Sequence, residues 1–201
     1  LAKKYRALLM GCLIIAILTL GACDRKMTAD GKVTEYTHPD VGFVVQVPED
    51  WQKVFEDNTS AYWLNSDGSL GLMVFCQLGG YSYYDDDGVG DILEKLMSNG
   101  VSDWKVLSRE TEKSLPMGWR IMGQGTDKEG NVVITDGLIT EPLDAVRFYV
   151  MAIAGPEQYQ QNQDVIDKIF QDFDVVATTD EIYKQMMIEK KAIEDVKEQS
   201  K

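Results

Sequence analysis

The sequence has one histidine, three cysteines and only five prolines in 201 residues. A lone histidine excludes multi-histidine metal sites and leaves most histidine-dependent catalysis without its base. Basic side chains are also scarce: 20 Lys and Arg stand against 33 Asp and Glu, a net charge of −13. With no positive footprint to neutralise phosphates, nucleic acid is not the expected partner. Several enzyme signatures are missing as well. There is no Gly-x-Ser-x-Gly elbow for serine-centred catalysis and no Gly-x-x-x-x-Gly-Lys-Ser/Thr phosphate loop. Gly123-Gln124-Gly125 leads into a predicted hairpin instead of a helix, so it is not a dinucleotide loop. No cofactor and no catalytic residue is implied. The 44% hydrophobic content is nevertheless ordinary for a folded domain.

The first 22 residues have the grammar of an export signal. Lys3, Lys4 and Arg6 precede an apolar run from Ala7 to Leu20, and small residues follow. That run is too short for a membrane span, which needs about 20 residues. Leu20-Gly21-Ala22-Cys23, followed by polar Asp24-Arg25-Lys26, resembles the lipobox of bacterial lipoproteins. The resemblance implies cleavage before Cys23, lipid attachment at Cys23, and an extracytoplasmic position on the bacterial cell envelope. Two acyl chains suffice for stable anchoring, so the membrane becomes a partner through the lipid. Removing residues 1–22 takes away three basic side chains and no acidic one, shifting the net charge from −13 to −16. Such a domain repels anionic headgroups. Cys76 is then the one cysteine beside the acylated one, and a disulfide framework is excluded within the mature chain. It lies in an apolar strand-like run and is expected to be a buried, inert thiol.

Residues 23–32 read as a tether, 33–177 as one domain, and 178–201 as a charged C-terminal helix. Strand signals dominate the domain. Phe43–Val47 is β-branched and aromatic and stops at Pro48. Ala61–Leu64 and Leu70–Leu78 flank a turn containing Asp67-Gly68, a hairpin signal. Trp104–Leu107 begins another strand. Trp119–Gly125 and Asn131–Ile139 flank a second hairpin turn, and Val146–Ala154 follows. Leu70–Leu78 and Val146–Ala154 are apolar on both faces, so the sheet needs cover on both sides. Two helices can supply it. One has Asp87 as its expected N-cap, an apolar face of Ile92, Leu93, Leu96 and Met97, and a stop at Gly100. The other opens at Pro156 and carries Val165, Ile166, Ile169 and Phe170 on one face. The expected class is α+β, a mostly antiparallel sheet flanked by helices on both faces. Val45, Trp51, Phe148 and Phe170 belong to its expected core.

Gly42-Phe43-Val44-Val45-Gln46-Val47-Pro48-Glu49-Asp50-Trp51 resembles the opening of PsbP-like domains, where a strand runs into Pro-x-x-Trp. Val165-Ile166-Asp167-Lys168-Ile169-Phe170-Gln171-Asp172-Phe173 resembles their closing helix. The resemblance brackets Glu35 to Val176 and implies an α/β/α sandwich. It also implies accessory binding in place of catalysis, as in extrinsic photosystem subunits, a Ran-binding import factor and bacterial lipoproteins. No functional residue of that family maps onto this chain.

One cluster hints at a ligand: Gly79-Gly80-Tyr81-Ser82-Tyr83-Tyr84-Asp85-Asp86-Asp87-Gly88-Val89-Gly90-Asp91. With Gly88 at the sixth position of a calcium loop, Asp85, Asp87, Asp91 and Glu94 fall at ligand positions. Tyr83 then occupies the first position, where aspartate is required, and the preceding segment reads as strand, not helix. A solvated helix start explains the carboxylates without metal. Tyr81, Tyr83 and Tyr84 suit a protein contact. His38 before Pro39 reads as a surface or turn residue, and Asp67, Asp127 and Glu129 as turn formers. At the C-terminus, Ile182, Met186, Ile193 and Val196 form a narrow stripe that either docks on the domain or meets a partner. The sequence thus points to a membrane-anchored binding or accessory module with a protein partner of unknown identity. Its rivals are a carboxylate-dependent hydrolase and a calcium-binding surface domain.

Overall fold

The computed structural model describes residues 32–78, 86–143, 146–178, 180–182 and 184; for residues 78, 86, 87 and 143 it describes the backbone alone. Among the described residues, two antiparallel sheets, two long helices and the start of a helical C-terminal segment build it. Strands β1 (Val33–Thr37), β2 (Phe43–Pro48) and β10 (Asp174–Val175) form a small sheet in the order β1-β2-β10. The large sheet holds β3 (Gln52–Asp57), β4 (Ser60–Leu64), β5 (Leu70–Leu78), β6 (Ser102–Glu112), β7 (Gly118–Thr126), β8 (Val132–Leu143) and β9 (Val146–Ala154). Its order is β3-β4-β5-β9-β8-β7-β6. Helix α1 (Asp86–Met97) covers one face; helix α2 (Pro156–Gln171) and the small sheet cover the other.

The double-sided apolar strands sit where the pattern requires. β5 and β9 pair along their whole length at the centre of the large sheet, from Leu70↔Ala154 to Leu78↔Val146. Leu72, Val74, Cys76, Phe148, Val150 and Ala152 bury on the α2 side, with Val45, Trp51, Ile166 and Phe170. Tyr149 and Met151 bury on the α1 side, with Val89, Leu93 and Met97. Both expected hairpins form, β4–β5 and β7–β8. Asp67 and Asp127 act as turn formers: Asp67 accepts from Ser69 N–H, and Asp127 from Glu129 and Asn131 N–H. Gly68 (φ 74°) and Gly130 (φ 87°) take the left-handed conformation these turns need.

Four expectations change. Helix α1 begins at Asp86, so Asp87 falls in its first turn and not at the cap. Strands β1 and β3 exist although neither alternates: most of their side chains are exposed. β6 runs from Ser102 to Glu112, well beyond its expected start. His38 does lie in a turn but is 1% exposed, not a surface residue.

Glycines set how closely α1 and the edge strand approach the sheet. A Cβ on Gly137 would meet Met97 Sδ at 2.8 Å, and one on Gly123 would fall 2.2 Å from the Trp104 ring. Gly123, excluded above from a nucleotide loop, therefore serves packing.

Candidate functional site

Most of the residues singled out for ligand contact lie outside the described part. These are Cys23, Tyr81, Tyr83, Tyr84 and Asp85, together with the side chain of Asp87. Asp91 and Glu94 are described, on the exposed side of α1, and both turn toward one cation. Arg109 of β6 reaches Asp91 Oδ1 through Nη2 at 2.8 Å and Glu94 Oε2 through Nη1 at 3.2 Å. The same guanidinium lies 5.0 Å from the Trp119 ring centroid. Arg109 thus fastens α1 to the edge of the sheet. A metal ion would have to compete with a positive charge already in place. Among the described residues no group of three or more His, Cys, Asp or Glu is arranged to hold a metal.

A second polar assembly was not foreseen. Asp136 sits mid-strand in β8 with no exposure, facing α2. Arg120 of β7 donates to it from Nε (3.1 Å) and Nη2 (2.5 Å), and Tyr159 of α2 donates its hydroxyl at 2.7 Å. Nη2 also reaches Asp167 of α2 at 2.5 Å, and the guanidinium lies 4.9 Å from the Phe170 centroid. Burial works against the charged guanidinium, but the bonds and charges of Asp136 and Asp167 outweigh it and hold Arg120 protonated. Burial first, then the charge of Asp136, raises the Tyr159 phenol above its ordinary range. Here a cation, two carboxylates and a phenol close on each other. A lone aspartate inside the apolar run Val133–Ile139 was the available sequence signal. Its partners are 16 and 23 residues away, and Asp167 is 47 residues from Arg120.

The corner between the two sheets is a third assembly. His38 Nδ1 accepts from Asp40 N–H (3.2 Å), and Nε2 faces the Asp57 carbonyl at 2.8 Å. The ring therefore carries its proton on Nε2 and joins the β1–β2 turn to the end of β3. Tyr36 reinforces the joint. Its hydroxyl donates to Glu56 at 2.8 Å, its ring meets Trp63 edge-on, and Lys53 stands 4.5 Å from the ring centroid while also pairing with Glu56. The histidine is thus a structural brace.

The C-terminal segment docks at its start. Thr178 and Glu181 form a reciprocal cap: Glu181 Oε2 accepts from Thr178 N–H (2.9 Å) and from its hydroxyl (2.8 Å), and Thr178 Oγ1 receives Glu181 N–H. Residues 180–182 and 184 are helical, and Ile182 is fully buried in the α2-side core. Met186, Ile193 and Val196 lie outside the described residues.

No protein-family model matches the sequence, and no curated protein does. Solved structures do match in shape. The Ran-binding protein Mog1p of Saccharomyces cerevisiae aligns at TM-score 0.59 and 12% identity, over 76% of this chain and 99% of its own. Cyanobacterial PsbP from Synechocystis sp. PCC 6803 aligns at 0.56 and 13%, over 78% and 99%. LpqN of Mycobacterium tuberculosis, described as involved in cell envelope biogenesis, aligns at 0.52 and 15%, over 73% and 91%. The fold is the one shared by PsbP and Mog1p.

Proposed function

We propose that the chain is a lipid-anchored extracytoplasmic binding module, held to a bacterial membrane through Cys23 and acting by contact with a protein partner. The observation that carries the anchor is Leu20-Gly21-Ala22-Cys23 directly after a basic and an apolar segment. The anchored, acidic domain then works on the outer side of that membrane. The fold neighbours support binding over catalysis. One is described as Ran-binding and another as involved in cell envelope biogenesis. The interior supports it too. Asp136 and Asp167 both bond the Arg120 guanidinium, and Asp136 also accepts from Tyr159, so these buried polar groups are engaged in joining β7, β8 and α2.

Mass spectrometry of the N-terminal peptide from native membranes tests the anchor. A diacylglyceryl-modified Cys23 at the new N-terminus is expected, and Cys23→Ala should abolish both modification and cleavage. An unmodified Cys23 in native membranes overturns the assignment. For the binding role, the anchored form should co-purify one protein in fixed stoichiometry. Substrate turnover lost on Asp136→Asn or Asp167→Asn would instead establish the hydrolase.

A further inference from the structure

The turn that joins β1 to β2 is closed on one ring atom. His38 Nδ1 accepts from Asp40 N–H at 3.2 Å and from Val41 N–H at 3.4 Å, so it stands where the side-chain oxygen of an Asx turn would stand. Two backbone bonds finish the loop: Gly42 N–H to His38 C=O at 3.0 Å, and His38 N–H to Phe43 C=O at 2.9 Å. The C-terminal segment is seated on the last residue of this turn. Val176 N–H bonds Gly42 C=O at 2.9 Å, and a Cβ on Gly42 would lie 2.4 Å from Ala177 Cβ. Packed that closely, the turn cannot shift without moving residues 176 and 177.

We propose that His38 is an acid-operated latch: the neutral ring closes the turn at 38–42 and so seats the C-terminal segment, and a proton on Nδ1 opens the turn and loosens that seat. The proton comes from solvent and takes the Nδ1 lone pair. Both N–H···Nδ1 bonds are then lost, and Nδ1 becomes a donor facing two other donors. The Nε2 bond to the Asp57 carbonyl survives, because that nitrogen donates in either state. Inside the closed turn the new N–H has no water to meet, since His38 is 1% exposed. An unpaired buried donor is costly, and opening the turn hydrates it. The ring is faced by Asp40 in its own turn, Tyr36 on β1, and Lys53, Glu56 and Asp57 on β3. β2 presents the Phe43 ring at 4.8 Å, and the C-terminal segment presents Val176 and Ala177 to the turn; none of these titrates. The three carboxylates favour a positive ring, but two are engaged elsewhere. Lys53 first and then Tyr36 bond Glu56 and hold its carboxyl below the ordinary value, while Asp57 accepts from Thr59 N–H and Ser60 Oγ. The charge is tolerated; the hydrogen on Nδ1 is what the closed turn cannot place. The latch acts upstream of the Thr178–Glu181 cap.

Histidine is the side chain that ordinarily changes charge between about pH 5 and 8, and the test covers that range. Amide hydrogen exchange, corrected for intrinsic rate, is read on the full-length protein at Asp40, Val41 and Val176, beside an NMR titration of the His38 ring. Protection at the three amides should be complete with the ring neutral and fall together as the ring takes up its proton. The slope is that of one proton, at most about tenfold per pH unit. His38→Asn keeps an acceptor in place of Nδ1 but has no proton to gain, so the three amides should stay protected throughout. His38→Gln keeps a donor for the Asp57 carbonyl but leaves the turn without its acceptor, and Val176 should exchange fast at every pH. A ring that titrates while Val176 protection stays constant overturns the latch. So does a ring that stays neutral down to about pH 5, or a fall of unchanged size in His38→Asn. If the asparagine variant does not fold, the parent decides alone: coincident ring and amide midpoints support the latch, and separate ones overturn it.

Discussion

Arg120 grips Asp136 with two hydrogen bonds, Nε to Oδ1 at 3.1 Å and Nη2 to Oδ2 at 2.5 Å, although Asp136 has no contact with solvent. Tyr159 completes the coordination of the same carboxylate at 2.7 Å. Strands β7 and β8 and helix α2 are joined at this point by charge inside an otherwise apolar layer. Removing one partner of such a pair strands a buried charge, whereas removing both does not.

Arg120→Met should therefore destabilise the domain by about 3–5 kcal/mol, the usual cost of breaking a buried pair. Adding Asp136→Leu should recover much of that loss. Urea unfolding midpoints of the single and double variants measure both. A single variant within about 0.5 kcal/mol of the parent would show that the pair contributes little.

Gly123→Ala should displace the Trp104 ring, whose nearest atom would stand 2.2 Å from the new methyl. Overpacking of this kind costs about 1–3 kcal/mol. The Trp104 Nε1 is buried without a hydrogen-bond partner. Swinging outward would hydrate it, which places the net cost at the low end of that range. A red shift in tryptophan fluorescence, absent in a Trp104→Phe background, reports the movement.

Docking of the C-terminal segment should weaken in acid. Backbone and side-chain hydrogen bonds from Thr178 hold the Glu181 carboxyl below its ordinary value. A carboxylate whose folded pKa is depressed contributes fully above its unfolded pKa, about 4.3 for Glu, and loses that contribution as pH falls through the folded value. The Ile182 amide, bonded to Thr178 C=O at 3.2 Å, is the reporter. Its hydrogen-exchange protection, corrected for intrinsic rate, should fall below about pH 4.3, the onset set by the unfolded carboxyl. Glu181→Gln should remove that step. A step of unchanged size in the variant would assign the pH dependence to another group.

Millimolar calcium should raise the melting temperature no more than sodium chloride of equal ionic strength, because screening alone acts on the acidic segment. Asp91 and Glu94 are already paired with Arg109. A saturable, calcium-specific shift, abolished by Asp85→Asn with Asp87→Asn, would establish a metal site and overturn this expectation.

The parts of the fold legible in the sequence are those set by short-range patterning. β5 and β9 betray double-sided burial because both parities of each strand are apolar. Asp67-Gly68 and Asp127 through Gly130 mark hairpins because only a few residue types satisfy those turns. The stripe Val165, Ile166, Ile169 and Phe170 marks a helix face, and all four are buried. β1 and β3 were not legible, since edge strands with mostly exposed side chains carry no alternation. Of the candidate site, Cys23 was singled out by a local pattern, Leu20-Gly21-Ala22-Cys23, while the tyrosines and aspartates of 81–87 gave composition without geometry.

What the sequence by itself determined is the charge balance, the central strands and the helix faces, all properties of neighbouring residues. Only the tertiary structure decided that Arg120 meets Asp136 and Asp167, that His38 is buried with both ring nitrogens engaged, and that Ile182 closes into the core. The physical reason is common to all three. Each depends on which strands pair and in what register, and register is set by the combined burial of segments far apart in the chain.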